Sequence, residues 1–203
     1  VVAGWSPAAD AQEAGRRLTP VAQRITDEAI ASDLAVFSAL QERASRLGAQ
    51  ATGTRKYLAA RAAEYLVLAQ AAYERNDRSA FPEDMIVLAE RDLAVLESGG
   101  EIPSTSLSSV LFPDRVRVFD DETWGRAVAL RRDADRVGAP EEIARAESAL
   151  LRAGHPILAG PACLADSAAS RAVGERLRVV EATRVTPVPV VPAEPPQVVP
   201  DRP

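Results

Sequence analysis

The side chains best suited to nucleophilic or metal chemistry are a single histidine, His155, and a single cysteine, Cys163, eight residues further on. A thiolate beside an imidazole is the arrangement of a cysteine nucleophile with its general base. No motif of a Cys/His enzyme flanks either residue, and one histidine with one cysteine cannot form a typical zinc site. We therefore expect His155 to hydrogen-bond the last carbonyls of the preceding helix, and Cys163 to act as a small hydrophobe.

Paired carboxylates, the groups used in general acid–base catalysis, occur at Asp120–Asp121 and Glu141–Glu142. Each pair stands where a helix is predicted to begin, and there an acidic residue caps free backbone N–H groups and complements the helix dipole. The sequence contains no glycine-rich phosphate loop, no G-x-S-x-G elbow and no H-E-x-x-H helix. We predict no catalytic residues, no cofactor and no metal site, and interpret the chain as a non-enzyme.

Two stretches are candidates for contact with a protein partner. In the turn "YERNDRS", Arg75, Asp77 and Arg78 could form a recognition surface. The alternative is an ordinary hairpin turn held by the side chains of Asn76 and Asp77. The second stretch is the non-helical segment 100–120, because segments of this length in compact domains are usually functional or disordered. Its apolar residues could fold over the bundle or engage a partner: Ile102, Leu107, Val110, Leu111 and Phe112.

Composition excludes several classes of protein. The 203 residues carry a net charge of −5, and Lys56 is the only lysine. Because an acidic chain without a basic stripe binds phosphate backbones poorly, nucleic acid is not a predicted partner. No apolar run is long enough to span a bilayer, and the first residues, "VVAGWSPAAD", lack the regions of a signal peptide. An apolar content of 47% with only 4% aromatic residues favours closely packed helices.

Hydrophobic residues recur at intervals of three and four, which predicts an irregular all-α bundle of five to six helices over residues 19–183. The first helix is predicted to begin with Thr19 as its N-cap and to end at Gly48. The next two, over residues 55–75 and from Pro82 onward, should form a tetratricopeptide-like central hairpin. The predicted inward residues of these three helices are Ile30, Leu34, Phe37, Leu40, Ala44 and Leu47; Leu58, Ala62, Tyr65, Ala69 and Ala72; and Ile86, Ala89, Leu93 and Leu96.

Three more helices are predicted in the second half of the chain. We expect Asp121 to cap the first, Pro140 to begin the second and Asp166 to cap the third. Before them, "RVRVF" at residues 115–119 alternates like a short strand, although it has no obvious partner strand. The predicted inward residues are Trp124, Val128 and Leu130; Ile143, Ala146, Leu150 and Ala153; and Ala169, Val173, Leu177 and Val180.

The chain ends in a proline-rich tail, with seven prolines among its last eighteen residues. Proline has no backbone N–H donor, and the tail has little apolar bulk to pack, so we predict an extended spacer. At roughly 3 Å per residue this spacer could reach about 50 Å. The predicted organisation is therefore an N-terminal extension over 1–18, a helical bundle over 19–183 and a proline-rich linker or tail over 184–203.

Several of these stretches together resemble the helical N-terminal region of outer-membrane protein A (OmpA) family proteins of Gram-negative bacteria. The residues that carry the resemblance are Tyr73 with Asn76-Asp77-Arg78, the helix end at Leu93, Leu96 and Glu97, Trp124, and Ala153-Gly154-His155. In the members of that family that carry such a region, an exported helical module precedes a proline-rich linker and a C-terminal peptidoglycan-binding domain. The stretch "ILAGPACLAD" after Pro156 departs from the family pattern.

The resemblance implies a periplasmic or outer-membrane-associated location, a lipid-anchored N-terminus and protein partners in the cell envelope. The residues up to Pro203 do not include the peptidoglycan-binding domain, so contact with peptidoglycan is expected only through a further C-terminal domain.

We therefore predict a non-enzymatic envelope scaffold or tether. The alternative is a tetratricopeptide-like protein-protein interaction adaptor, whose hairpin would offer a concave apolar groove to a peptide, with the cytoplasm as the alternative location. An open groove along residues 57–96 would favour the adaptor, whereas burial of those side chains would count against it. An enzyme would require a pocket in which His155 or Cys163 meets other polar groups.

Overall fold

The computed structural model of the chain describes residues 17–107, 120–159 and 162–184, with the backbone alone for residues 162–169. Within these ranges all regular structure is helical, and the predicted all-α bundle is confirmed. Six helices have twelve or more residues and a seventh is a single turn. They are α1 Asp27–Gly48, α2 Gly53–Glu74, α3 Phe81–Glu97, α4 Asp121–Arg132, α5 Pro140–Gly154, α6 Pro156–Ala159 and α7 Ala162–Ala182, with 3-10 turns at Val21–Gln23, Ser104–Leu107 and Ala134–Arg136.

Helix α2 is the centre of the bundle. It packs against α1, α3 and α5, and α5 packs in turn against α4 and α7. Twelve of the 22 residues of α2 are buried. Because neighbours cover the helix on several sides, its apolar residues are not confined to one stripe. Alanines at positions 62, 69 and 72 keep its side chains small where other helices approach.

The predicted inward faces are largely confirmed by burial. The residues predicted to face inward that the structure buries are Phe37, Leu40, Ala44, Leu58, Ala62, Tyr65, Ala69, Ala72, Ile86, Ala89, Leu93, Leu96, Leu130, Ile143, Ala146, Leu150, Val173, Leu177 and Val180. Leu34, Leu47 and Trp124 are partly buried against the same core. Ile30 is the clear exception, with 38% of its surface exposed. The likeness of α2 and α3 to a tetratricopeptide unit stays a prediction.

The predicted start of the first helix is wrong. Helix α1 begins at Asp27, and its N-cap is Thr26, whose hydroxyl accepts a hydrogen bond from the N–H of Ala29. Thr19 has another role, because its N–H and its hydroxyl both donate to Oδ1 of Asp33, at 2.7 and 2.9 Å. This tertiary contact ties the segment before α1, which contains the 3-10 turn Val21–Gln23, to the second turn of that helix.

Two later N-caps also differ from the prediction. Asp120, not Asp121, caps α4, since its Oδ1 accepts from the N–H of Thr123 at 3.0 Å. Helix α7 begins at Ala162, so Asp166 lies within that helix and is not its N-cap. The predicted strand at residues 115–119, the first 16 residues and the tail beyond residue 184 lie outside the described ranges.

A carboxylate from elsewhere in the chain caps α2. Oδ1 of Asp135 accepts a hydrogen bond from the N–H of Thr54 at 2.6 Å. The residue before it, Gly53, has φ of +52°, and a Cβ at that position would lie 2.1 Å from the same oxygen. Glycine is therefore required there by backbone conformation and by space.

In the described part of the chain, no helix combines the length and the apolarity needed to cross a bilayer.

Candidate functional site

Four charged side chains meet in the interior, where α2, α3, α4 and α5 come together: Arg61, Asp92, Arg131 and Glu147. Each is at most 1% exposed. Two are cationic and two are anionic, so their formal charges cancel. Because an uncompensated buried charge costs several kcal/mol, such a cluster persists only when its members are paired. With Tyr57, these residues form what we call the buried ion network.

Arg61 is the best-satisfied member of the buried ion network. Its Nε and Nη2 donate to the two carboxylate oxygens of Asp92, at 2.7 and 2.8 Å. Nη2 also donates to the backbone carbonyl of Ser106 at 2.7 Å, and Nη1 donates to the hydroxyl of Tyr57 at 3.1 Å. One guanidinium thus joins α2 to α3 and to the 3-10 turn after α3, through charge-assisted hydrogen bonds.

Tyr57 links the two ion pairs. Its hydroxyl donates to Oε2 of Glu147 at 2.7 Å, while Nη1 of Arg131 donates to Oε1 at 3.1 Å. Burial raises the pKa of Tyr57 well above its usual value, so the phenol stays a neutral donor. Nε and Nη2 of Arg131 are buried with no hydrogen-bond partner among the described residues. The pair of Arg61 with Asp92 is therefore the more completely bonded half of the network.

The buried ion network is rich in groups that could transfer protons, but its surroundings favour a structural role. Tyr57, Asp92 and Glu147 have no exposed surface. The surface has a groove beside Leu107, a second beside Ile25 and a third beside Lys56, and none of the three buried residues lines any of these grooves. A group that performs catalysis has to touch its substrate, and these groups are enclosed by protein.

Sequence reasoning missed the buried ion network, although a signal for it existed. Glu147 is four residues after Ile143 and three before Leu150, which places it within the predicted inward face of α5. In the same way, Arg61 follows Leu58 by three residues, and Asp92 follows Ala89 by three. A charged residue in register with an apolar stripe indicates a buried, paired charge.

His155 does not have the predicted side-chain role. Its backbone N–H contacts the end of α5, but its imidazole faces the α2–α3 turn, with Nε2 3.1 Å from Oδ2 of Asp77. The ring also packs on Phe81, with 3.9 Å between ring centroids. Burial lowers the pKa of His155, and the nearby Asp77 carboxylate offsets only part of that effect. The histidine thus fastens the end of α5 to the start of α3.

The structure divides the predicted recognition surface of the α2–α3 turn. Asp77 is 1% exposed, and its Oδ1 accepts from the N–H of Ser79 at 2.8 Å, so it belongs to the turn and is not an accessible surface residue. Arg75 is exposed, but its Nη1 donates to the carbonyls of Ile157 and Leu158 at 3.0 and 3.1 Å. Of the three residues, only Arg78 lies exposed without a recorded partner in the described ranges.

The second predicted surface is described only at Ile102 and Leu107. Val110, Leu111 and Phe112 lie outside the described residues, as does the side chain of Cys163. Leu107 is partly buried and packs against the core cluster that joins α2 and the end of α3 to α4, α5 and α7. It also lines a groove of about 460 Å³ together with Thr54, Arg55, Ile102 and Asp135. Its observed contacts fit the hypothesis that this segment folds over the bundle.

A second groove, of about 500 Å³, lies between the 3-10 turn at 21–23, the start of α1 and the end of α2. We call it the Ile25 groove, and it is lined by Val21, Arg24, Ile25, Ile30, Leu34, Tyr73, Glu74, Asn76 and Arg78. Ile25 is 83% exposed and Ile30 is 38% exposed. The sequence pattern predicts one continuous helix over residues 19–48, so it does not predict this groove, which forms where the 3-10 turn at 21–23 and the start of α1 are separate.

One wall of the Ile25 groove is held in place by a buried carboxylate. The hydroxyl of Tyr73 donates to Oδ2 of Asp33 at 2.8 Å, and the guanidinium of Arg24 lies over the Tyr73 ring, 4.9 Å from its centroid. Burial and the hydrogen bond to Asp33 raise the pKa of Tyr73 to about 12. The groove therefore has an aromatic side held by this hydrogen bond and an apolar opening at Ile25 and Ile30.

Among the described residues, no group of three or more His, Cys, Asp and Glu side chains is placed to hold a metal ion. Comparison with protein-family models, with curated proteins and with solved structures found no match.

Proposed function

We propose that the chain is a non-enzymatic scaffold or tether of the cell envelope, the periplasmic helical part of an outer-membrane protein A-like protein. The observation that carries the non-enzymatic scaffold part of this proposal is the buried ion network. Its ionisable groups are sealed inside the protein and paired with one another, so they can fix the shape of the bundle but cannot reach a substrate.

A scaffold must keep one arrangement of its helices, and the buried ion network supports that property. Hydrogen bonds to Arg61 and Glu147 are directional and connect four helices and one turn. Sliding one helix along another would break several of them at once and leave buried charges without partners. A helical bundle of fixed shape would give the proline-rich tail, with seven prolines in eighteen residues, a fixed attachment point from which to act as a spacer.

The envelope assignment rests on the resemblance, and two of the resembling stretches contact each other in the fold. Tyr73 is bonded to Asp33, Asn76 adopts a left-handed conformation with φ of +57°, and Asp77 faces His155. The resembling residues of the first and last stretches thus meet at one corner of the fold.

The tetratricopeptide-like adaptor is the weaker alternative. Side chains along residues 57–96 that would line its concave groove are buried, including Leu58, Leu66 and Leu93. A peptide would have to displace α1 or α5 to reach them. This burial counts against a peptide groove in the hairpin.

Cell fractionation tests the location. The natural protein would be followed with an antibody against residues 17–184, beside a cytoplasmic and a periplasmic marker enzyme. We expect recovery with the periplasm or the outer membrane. Recovery with the cytoplasmic marker would overturn the envelope assignment and favour the adaptor.

Amide hydrogen exchange tests the scaffold independently of location. We expect amides of α2, α3 and α5 to exchange only through global unfolding, because the buried ion network couples these helices. Exchange of α3 through a separate, lower-energy opening would contradict a fixed scaffold.

A further inference from the structure

We propose that the chain associates with a second copy of itself through the Ile25 groove, in a two-fold dimer in which each copy inserts Ile25 into the groove of the other. This inference concerns the chain itself and does not depend on its cellular location. It starts from a protruding apolar side chain on the wall of a groove that is large enough to receive the same side chain from a second copy.

The first argument is the position of the exposed apolar residues. Six large apolar side chains are exposed in the described ranges: Ile25, Ile30, Val67, Val87, Ile157 and Val179. Ile25 is the most exposed of them, at 83%, and Ile30 lies in the same groove. The other four line none of the three grooves described above. Single exposed apolar residues are ordinary, but a protruding one on the wall of a groove that also contains Val21, Ile30 and Leu34 indicates a contact surface.

The second argument is that the surface is complementary to itself in shape. In a two-fold contact the same patch appears on both sides, so a side chain that enters the partner's groove is matched by the partner's own. A groove of about 500 Å³ with Val21, Ile30 and Leu34 on its walls has room for one isoleucine side chain. When each copy inserts its Ile25 into the groove of the other, both Ile25 side chains are removed from water.

The third argument is charge. Arg78 lies exposed on the rim of the groove, with no carboxylate within ion-pair distance among the described residues. Asp27 and Glu28 are exposed in the first turn of α1, two and three residues after Ile25, and have no recorded cation partner in the same ranges. When Ile25 enters the partner's groove, these carboxylates come to the rim that carries the partner's arginine. The symmetry produces this pairing twice.

The size of the surface indicates a weak, concentration-dependent dimer. One groove and its rim cover less area than a standard protein–protein interface, and contacts of small area are usually transient. Copies held close together, as on a shared surface, would associate more readily than free copies.

Sedimentation velocity of the whole chain, from low micromolar to near-millimolar concentration, tests the dimer. We expect a reversible monomer–dimer equilibrium that weakens as salt is added. Ile25→Asp should lower the association constant at least about 10-fold, since it places a charge in the apolar centre of the contact. Val179→Asp is the matched control, because Val179 is 65% exposed on α7 away from the groove, and it should leave the equilibrium unchanged.

Charge reversal separates this contact from general stickiness. Arg78→Glu alone should weaken the dimer, and Asp27→Arg with Glu28→Arg in the same chain should restore it. Both changes lie at exposed positions, so circular dichroism should show an unchanged fold.

A chain that stays monomeric at every concentration would overturn the proposal, as would a dimer that Ile25→Asp does not weaken. Ile25-dependent binding of a monomer to phosphatidylglycerol vesicles would also overturn it, and would assign the groove to a lipid surface.

Discussion

Asp92→Leu is the sharpest test of the buried ion network, because it removes one partner of its best-bonded pair. The substitution leaves the guanidinium of Arg61 in the core without the carboxylate that accepts two of its hydrogen bonds, at 2.7 and 2.8 Å. Removing one partner of a buried ion pair costs about 3–5 kcal/mol. Since domains unfold with a free energy of roughly 5–15 kcal/mol, the variant should lose a large part of its stability.

The assay is urea unfolding followed by circular dichroism. With an m-value of about 2 kcal/mol/M for a domain of this size, the midpoint should fall by about 2 M. The matched control is Glu97→Gln, which breaks the exposed pair of Glu97 with Arg43 between α3 and α1. Because exposed pairs contribute about 0–1 kcal/mol, the control should move the midpoint little.

A double variant shows whether the charge itself is the cause. Arg61→Met with Asp92→Leu removes both ions, so no unpaired charge remains, and similar exchanges in other cores are often neutral. We expect the double variant to be more stable than Asp92→Leu alone, although Ser106 and Tyr57 lose a donor. A cost below about 1 kcal/mol for Asp92→Leu, or additive costs in the double variant, would refute the reasoning.

Three further predictions use thermal or chemical unfolding. Gly53→Ala should destabilise the chain by at least about 1–2 kcal/mol, because the φ of residue 53 is +52° and an added Cβ would clash with Asp135. The control is Gly125→Ala, which lies in open space within α4 and should stabilise the chain by about 0.5–1 kcal/mol, since alanine favours a helix more than glycine does. Burial lowers the pKa of His155 in the folded chain, so on acidification the unfolded chain binds this proton at a higher pH than the folded chain does. The free energy of unfolding should therefore fall as the pH drops below the ordinary histidine pKa of 6.5. In His155→Gln this part of the pH dependence should be missing. Tyr73→Phe should lower the free energy of unfolding by about 1–3 kcal/mol, because the buried carboxylate of Asp33 loses a hydrogen bond. The loss should be largest below pH 10, where tyrosine is neutral in both the folded and the unfolded chain.

The outcomes that contradict these predictions are distinct. Equal effects of alanine at positions 53 and 125 would mean that the left-handed turn carries no strain. A His155→Gln variant with an unchanged pH profile would show that the imidazole is solvated when folded. A Tyr73→Phe variant as stable as the wild type would mean that the hydroxyl makes no net contribution.

The sequence alone determined the helices and most of their buried faces. Residues such as Leu58, Ala62 and Tyr65 recur at the period of an α-helix, and that spacing places them on one face whatever the rest of the chain does. Proline in the first turn also marked the starts of α3 and α5. These are local properties, set by neighbours within about two turns.

Only the tertiary structure decided which charged residues are partners. Arg61 meets Asp92 across 31 residues of sequence, and Tyr57 meets Glu147 across 90. It also decided the role of Thr19, because Asp33 on α1 accepts hydrogen bonds from its N–H and its hydroxyl. The physical reason is that a buried charge is satisfied by whichever partner the packed helices bring within about 3 Å, and local spacing carries no record of that partner.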